Sequence, residues 1–514
     1  MKTKNHVLIA TAVSAALLAG CVTVGPDYAT PQTAPVTLQQ AGAADYVADH
    51  PVATWWSQFD DPVLDQLVRE SLLANPDVRI AVSRVDEARA VFSERRWDLA
   101  PHVTAGVEGT RTKQPVEGQG RVETDSYSAG FDAAWELDLF GRVRRSAEAA
   151  HADLQAQRND LQAMQVTVAA EVARNYFELR GTQKRLDVAR RILVSLGETQ
   201  RLTESRFDLG AGSQLEVQSS LARVKAVEAE VPLLETAEGQ SRHRLAVLVG
   251  KRPGELDALL APREAPAFAK ALPIGDTTEL LRQRPDVRAA ERRLAAATAR
   301  VGVATADLFP RVSLSGFLGF TAARGSQLGS SAANAWALGP SITWAAFDLG
   351  SVRARLRGAE AEADGALAQY EQQVLLALEE SENAFSDYGK RQQRLISLIR
   401  QSESSRKAAD LAEIRYREGT VDFLVLLDAQ RERLAAEDAQ AQGEVERVGD
   451  VEDVVGEQRP VFTVLAIGVG GRTDIGHAVK RGESGNDVRT RSPGRRGQSG
   501  RTDARRDAHR AQSL

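Results

Sequence analysis

The single cysteine of this 514-residue chain is the residue whose type and position most clearly indicate a chemical modification. Cys21 follows Leu18-Ala19-Gly20, and an apolar stretch from Val7 to Ala19 lies just before it. This order is typical of a bacterial lipoprotein signal, in which the chain is cut before the cysteine and the new terminal residue is acylated. Each buried methylene contributes about 0.8 kcal/mol, so several acyl chains anchor a protein durably. We therefore predict a signal peptide at 1–20 and lipidation of Cys21; the alternative is an ordinary signal peptide followed by an unmodified cysteine.

The residues that could support catalysis or metal binding form no recognisable motif. The seven histidines are scattered, and no two have the spacing of metal ligands on a helix. One cysteine excludes a disulfide framework and a cysteine-based zinc site. There is no phosphate-binding glycine loop with lysine and no nucleophile elbow, and the net charge of −5 offers no basic surface for nucleic acid. We expect no enzymatic activity, no cofactor, no metal and no nucleic-acid partner.

The chain is a tandem duplication with an offset of 209 residues. Pro76-Asp77-Val78-Arg79 recurs as Pro285-Asp286-Val287-Arg288, and residues 75–109 match residues 284–318 at 12 of 35 positions without a gap. Chance identity in this composition would give roughly three matches. Prolines cluster between the copies, at 251–275, and indicate a linker there. Two copies of one structural unit are therefore joined head to tail.

Each copy changes its hydrophobic period twice. A helical period at 62–98, with a joint at Asn75-Pro76, gives way to strand alternation after Pro101 and returns after Gly141. The alternation predicts β-hairpins at about 101–138 and 310–346, the first with a polar loop at 113–125. Both following helices lack proline for over sixty residues and break near Gly210 and Gly419, which we predict to be turn residues. The predicted divisions are a lipidated extended segment at 21–60, repeats at 61–250 and 276–443 around the linker, and a tail at 444–514.

The predicted strands are apolar on one face, small or polar on the other, and carry aromatic residues near their ends. This pattern is typical of a lipid-facing β-barrel with an aromatic girdle. The girdle candidates are Tyr127, Trp135, Trp336 and Trp344. Four strands cannot enclose a channel, and open sheet edges are unfavourable in hydrocarbon, so several chains must share one barrel. Three chains would supply twelve strands; the alternative is a soluble α+β lipoprotein with two small sheets packed on helices.

Several segments together resemble the TolC-like outer-membrane efflux proteins, specifically their NodT-type lipoprotein branch. They are CVTVGPDYATP from Cys21, WELDLFGRVR from Trp135, WAAFDLGSVRAR from Trp344, RPDVRAAERRLAAATARVGVATADLFP from Arg284 and RYREGTVDFLVLLDAQR from Arg415. The resemblance implies an α+β membrane protein that forms a homotrimer, with a twelve-strand barrel in the outer membrane and an α-helical barrel in the periplasm. It also implies passive export of drugs or other toxic small molecules, with a periplasmic adaptor and an inner-membrane pump of the RND type as partners. Val22 stands where an aspartate would favour retention at the inner membrane, so the expected location is the outer membrane.

The resemblance further implies a gate at the periplasmic helix tips. Matching the motifs to this sequence identifies five gate candidates: Glu216, Tyr416, Leu424, Asp428 and Arg431. A threefold ring of carboxylates favours cations, and a ring of leucines narrows the bore. Pairs of Asp428 and Arg431 would act as a lock between neighbouring helices. The alternative for each of these residues is a solvated position at a helix tip.

Two questions stay open at the level of sequence. A periplasmic coiled-coil adaptor or structural lipoprotein would also explain the long helices and the lipid signal, but not two duplicated hairpins. Residues 471–514 hold many arginines and glycines and almost no large apolar residues, so they cannot form a core. We favour a reading-frame shift near 443 over a natural basic tail that binds lipopolysaccharide or peptidoglycan.

Overall fold

The computed structural model describes residues 23–31, 46–47, 54–118, 120–264, 272–273 and 282–457. The predicted signal peptide, Cys21 and residues 458–514 lie outside these ranges. Within them, no helix is both long and apolar enough to cross a membrane.

The first repeat consists of short helices, a β-hairpin and a pair of long helices. In chain order its elements are β1 (Tyr46–Val47), a 3-10 helix (Trp55–Phe59), α1 (Pro62–Ala74), α2 (Pro76–Trp97), β2 (His102–Val116), β3 (Gly120–Leu137), α3 (Arg142–Asp208) and α4 (Gln214–Leu248). At 1.5 Å per residue, the 67 residues of α3 span about 100 Å. The helix α4 continues through Pro232.

From α5 onward, the second repeat has the same order of helices and strands as the first repeat has from α2 onward. Its elements are β4 (Leu272–Pro273), α5 (Pro285–Ala306), β5 (Arg311–Ala322), β6 (Asn334–Thr343), α6 (Leu349–Arg417) and α7 (Phe423–Glu457). The helices α6 and α3 have 69 and 67 residues, and α7 and α4 have 35 each. The repeats therefore match in structure as they do in sequence.

The two hairpins form one antiparallel sheet in the order β2-β3-β5-β6. The central pairing joins the repeats, because Tyr127–Leu137 of β3 lies opposite Val312–Ala322 of β5. The first hairpin is longer than predicted. Its two strands stay paired as far as Val116 opposite Gly120, so paired strand replaces most of the loop expected at 113–125. Ion pairs between Arg111 and Asp125 and between Lys113 and Glu123, each 2.6 Å, hold this extension across the strands.

Capping residues explain why the first helical stretch divides at the predicted joint. The carboxylate of Asp61 accepts from the backbone N–H of Val63 at 2.8 Å, and the side chain of Asn75 accepts from that of Asp77 at 2.8 Å. A proline follows each cap, at the first helical position, where its missing N–H has no cost. The joint at Asn75-Pro76 is confirmed as the boundary between α1 and α2.

Two segments predicted to be extended or linking contribute to the main core. Trp55, Trp56 and Phe59 are buried there, although they belong to the predicted segment 21–60. Leu256 and Leu260, from the predicted linker 251–275, are buried in the same cluster. These predictions are corrected because large apolar side chains in irregular segments gain as much from burial as those in helices.

The C-terminal tail begins later than residue 444. The helix α7 continues to Glu457, and Val445 packs against the main core. Glu444 pairs with Lys184 and Glu446 with Arg394. The predicted boundary at 443 is therefore wrong for the fold, and the frame-shift hypothesis stays a prediction for residues outside the described ranges.

Candidate functional site

The helix tips, residues 202–223 and 411–431, contain all five gate candidates. At the first tip, α3 ends before Gly210, whose φ is +73°, and the N–H of Ala211 donates to the Arg206 carbonyl at 2.8 Å. At the second tip, Gly419 also has a φ of +73°, and the N–H of Thr420 donates to the Arg415 carbonyl at 2.9 Å. Each glycine thus allows the left-handed turn that reverses the chain.

The carboxylate of Glu216 caps a helix. Ser213 is the N-cap of α4, and its side chain accepts from the Glu216 N–H, while the Glu216 carboxylate accepts from the Ser213 N–H, both at 3.3 Å. This reciprocal pair is a capping box. The sequence contains its signature, Ser-x-x-Glu at 213–216, which the gate prediction did not consider. Glu216 is half-buried and supports the tip in addition to any role in a channel.

The ring of Tyr416 is only 1% exposed and lies in a cluster with Ala412, Phe423 and Leu426. Its centroid is 5.6 Å from that of Phe423. Burial raises the pKa of Tyr416, and the nearby Glu216 carboxylate raises it further, although the hydroxyl makes no hydrogen bond of ordinary geometry. The structure therefore places Tyr416 in the packing of the tip, and its role in a gate stays a prediction.

Arg206 links the two tips and was absent from the predicted site. Its guanidinium carbon is 4.8 Å from the centroid of the Tyr416 ring, and Nη1 donates to the Tyr416 backbone carbonyl at 3.2 Å. A cation over an aromatic face is stabilised by the ring quadrupole. The sequence contains one signal that could have identified Arg206 as a tip residue: Arg206-Phe207 in the first repeat matches Arg415-Tyr416 in the second.

The remaining gate candidates line an open groove of about 1220 Å³ on α4, α6 and α7. Residues on it include Arg223, Leu411, Arg415, Leu424, Asp428 and Arg431. Leu424 is 68% exposed, so an apolar side chain faces open space at the tip. Burial lowers the pKa of Arg223, and the positive charge of Arg431 lowers it further. The groove therefore combines an apolar wall with two arginines that repel each other.

The predicted lock between Asp428 and Arg431 lies within one helix. The closest oxygen of Asp428 is 3.8 Å from Nη2 of Arg431, three residues along α7, and Glu432 lies 3.5 Å from the same nitrogen. Both partners of the pair are mostly exposed, so it contributes little energy in a single chain. A contact with a neighbouring helix would need a second chain.

Two of the girdle tryptophans occupy equivalent places in the two repeats. Trp135 donates from Nε1 to the Leu99 carbonyl at 3.0 Å, and Trp344 donates to the Leu308 carbonyl at the same distance. Both bonds join the end of a hairpin to the segment that enters it. Tyr127 lies eight residues before Trp135 on β3, or about 26 Å along the strand. Trp336, on β6, lies opposite Leu318, midway between the levels of those two residues, and is exposed.

In the part of the chain that the structure describes, no group of three or more His, Cys, Asp or Glu side chains could hold a metal ion.

Comparisons with known proteins agree on one family. The family described as "Outer membrane efflux protein" matches residues 67–251 and 277–453. The chain is 31% identical over 417 residues to Nodulation protein T of Rhizobium leguminosarum bv. trifolii, covering 81% of this chain and 89% of that protein. It is 33% identical over 445 residues to the outer membrane protein OprJ of Pseudomonas aeruginosa, covering 85% and 92%. The solved structure of the outer-membrane channel OprN has a TM-score of 0.82 at 57% identity, covering 85% of this chain and 99% of that one.

Proposed function

The chain belongs to the outer membrane efflux protein family, and from this premise we propose that it forms the homotrimeric channel of a tripartite efflux pump. The protein is an outer-membrane efflux component that extends into the periplasm and works with an adaptor and an inner-membrane pump. Three copies would combine their four-stranded sheets into a twelve-strand barrel and their long helices into a periplasmic tube.

The observation that carries the trimer proposal is an open four-stranded sheet attached to helices about 100 Å long. The sheet ends at β2 and β6, each of which has one strand neighbour among the described residues. Unpaired backbone groups in hydrocarbon cost several kcal/mol each, so a membrane-embedded sheet of four strands must continue into other chains. The exposed apolar side chains Val107, Phe131 and Leu338 on this sheet agree with a lipid-facing surface.

The proposed mechanism is passive conduction through a bore that narrows at the helix tips. In a trimer, Leu424 would form an apolar ring, Asp428 a ring of three carboxylates that favours cations, and Arg431 a counter-charge for each carboxylate. Tyr416 and Glu216 would set the position of this constriction by packing and capping. No chemical step is required of the chain, and energy would come from the inner-membrane pump.

We further propose an RND-type pump as the inner-membrane partner and drugs or other toxic small molecules as the cargo. The proposal rests on the family and on the mixed apolar and charged walls of the groove at the tips. The experiment is a deletion strain tested for susceptibility across a panel of antibiotics, dyes and solvents. Increased susceptibility of the deletion strain, with resistance restored when the gene is supplied again, supports the function. A deletion strain that resists and exports every compound as well as the wild type does contradicts it.

The trimer requires a separate measurement. Outer-membrane fractions should contain a heat-modifiable band of trimer size. A soluble periplasmic monomer after removal of the signal peptide would contradict the proposal and favour the adaptor alternative.

The proposed lipid anchor at Cys21 supports outer-membrane attachment before the barrel assembles. Metabolic labelling with palmitate should mark the wild-type protein and not the Cys21→Ser variant. Labelling of both proteins would show that Cys21 is not the acylated residue.

A further inference from the structure

A cavity of about 480 Å³ lies between α3 and α5, and the proposed mechanism of conduction does not use it. Residues three and four apart share one face of a helix, and such sets from the two helices form its walls. Its lining is polar throughout and includes Arg158, Asn159 and Gln162 on α3 and Arg288, Glu291 and Arg292 on α5. A cavity of this volume can hold a small ligand.

The cavity contains more positive charge than negative charge. The carboxylate of Glu291 is already engaged, because it pairs with Arg292 and accepts from the Tyr28 hydroxyl at 2.8 Å. The guanidiniums of Arg158 and Arg288 have no hydrogen-bond or ion-pair partner among the described residues. Two cationic side chains therefore line the cavity without a counter-charge.

Two amide side chains beside these arginines also lack partners. Asn159 is only 7% exposed, and its side chain makes no hydrogen bond within the part of the chain that the structure describes. Oε1 of Gln162 is buried and has no hydrogen-bond partner there either. Buried polar side chains are nearly always hydrogen-bonded, to protein, to ordered water or to an ion. The unpartnered amides and guanidiniums together indicate that a polar, negatively charged ligand completes the cavity.

The cavity lies on the side of the helices that carries the N-terminal segment 23–31. Tyr28 of this segment binds Glu291, and the Arg292 guanidinium carbon is 5.4 Å from the centroid of its ring. The segment begins two residues after Cys21, whose proposed acyl chains lie in the bilayer around the barrel. The segment therefore runs outside the helical tube, and the cavity beside it opens to the periplasm rather than to the bore. It lies about 25–30 Å along α3 from the first residue of that helix.

We propose that this cavity binds an oxyanion from the periplasm, as a phosphate or a carboxylate group. Arg158 and Arg288 supply the positive charge, and the planar fork of a guanidinium matches both groups with two parallel hydrogen bonds. The Asn159 amide donates a further hydrogen bond that orients the ligand. The oxyanion comes either from free phosphate or from the carboxylates of cell-wall peptides. The site is separate from conduction, and the proposed anchor at Cys21 enters only in deciding which side of the tube the cavity faces.

Calorimetry on the full-length protein in detergent tests the site with two probes, sodium phosphate and a cell-wall tripeptide that ends in a free carboxylate. At least one probe should bind the wild type with one site per chain. Arg158→Gln and Arg288→Gln should each weaken this binding about tenfold or more, because each removes a charged hydrogen bond. The matched control is Arg174→Gln, which removes the same charge from an exposed position of α3 outside the cavity. Failure of both probes to bind, or an equal loss of affinity in the control, would overturn the proposal.

The variant Asn159→Asp tests the site by filling it from within the chain. The new carboxylate lies beside the two guanidiniums and takes the place of the oxyanion. The probe that binds the wild type should raise its unfolding temperature, because a ligand of the folded state stabilises that state. In Asn159→Asp the probe should give no such increase, while the protein still folds and reaches the outer membrane. An undiminished increase in this variant would show that the probe binds elsewhere and would overturn the proposal.

The results distinguish the two sources of the oxyanion and keep the site separate from the channel. Tighter binding of phosphate identifies the free ion, and tighter binding of the tripeptide identifies the cell wall; either result supports the site. A deletion strain complemented with Arg288→Gln should be as resistant as one complemented with the wild type, because the cavity faces away from the bore. Loss of resistance in that strain would overturn the assignment of the cavity to the outside of the tube. If neither probe binds a wild-type protein that restores resistance, this inference fails and the channel function stands.

Discussion

Asp61 shows how one side chain can connect distant parts of the chain. Its carboxylate caps α1 and also accepts from the Tyr176 hydroxyl at 2.5 Å and from Arg263 at 3.1 Å. Tyr176 lies in the middle of α3, and Arg263 lies in the segment predicted to be a linker. A hydrogen bond to a charged group stabilises a protein by about 1.5–3 kcal/mol, so this cluster holds three segments together.

The Tyr176 hydroxyl predicts a loss of stability at alkaline pH. Burial, and after it the hydrogen bond to Asp61, raise the pKa of Tyr176 from the usual value of about 10 to about 12. Because the folded-state pKa is the higher one, the contribution is fully present below pH ~10 and is lost as pH approaches ~12. Thermal unfolding of the wild type and Tyr176→Phe should differ most at pH 8 and converge toward pH 12. A difference that does not change with pH would contradict this assignment.

Tyr416 predicts different effects for its ring and its hydroxyl. Tyr416→Ala removes a buried ring, which typically costs about 3–5 kcal/mol, and also removes the surface on which Arg206 stacks. We expect a looser tip, measured as higher single-channel conductance and as sensitivity to a large antibiotic that the outer membrane normally excludes. Tyr416→Phe keeps the ring and should behave nearly as wild type. Equal opening in both variants would show that the hydroxyl and Glu216, rather than the packed ring, hold the tip.

At the scale of elements, the tips are built from helix ends that stop and restart within a few residues. Leu209 to Ser213 separate α3 from α4, and Glu418 to Asp422 separate α6 from α7. A positive-φ glycine ends each outgoing helix, and the capping box of Ser213 and Glu216 begins the first return helix. Tight reversals of this kind keep the return helix antiparallel to the outgoing one.

The turn glycines predict a conformational penalty without a steric one. A Cβ at Gly210 or Gly419 would meet no atom within 4 Å, so Gly→Ala costs only the left-handed backbone, about 1–2 kcal/mol. Gly197, inside α3 and equally unobstructed, is the matched control, since Ala there should stabilise the helix by about 1 kcal/mol. Hydrogen exchange of peptides from the tips should rise in Gly210→Ala and Gly419→Ala and fall in Gly197→Ala. Faster exchange in all three variants would contradict the distinction.

At the scale of the whole molecule, the last helix closes the core between the repeats. Val445 is half-buried and packs against the main core, and its Cγ2 approaches Gly181 so closely that a Cβ there would clash. Ion pairs from Glu444 and Glu446 hold α7 against α3 and α6. Residues 444–446 are therefore part of the fold despite the change in composition that follows.

Two truncations test whether residues 444–457 belong to the fold. A stop after Glu457 should preserve the heat-modifiable trimer, because every described contact remains. A stop after Gly443 removes the half-buried Val445 and both ion pairs and should lower the amount of trimer and its unfolding temperature. Equal trimer stability in the two proteins would show that 444–457 contribute nothing to the fold.

The sequence alone determined the features that depend on local pattern and on repetition. The offset of 209 predicted two equal units, the absence of proline predicted helices of over sixty residues, and Gly210 and Gly419 predicted the turns. These predictions succeed because helix continuity, strand alternation and left-handed turns depend on residues close together in the chain.

Only the tertiary structure decided which residues act together across the chain. It placed Tyr416 under Arg206 and brought Trp55 and Leu260 into the core between α1 and α3. Such contacts join residues far apart in the chain, 210 positions between Arg206 and Tyr416, and depend on how helices pack rather than on local preference. The sequence therefore determines the repeated unit, whereas packing determines which residues of the two repeats contact each other.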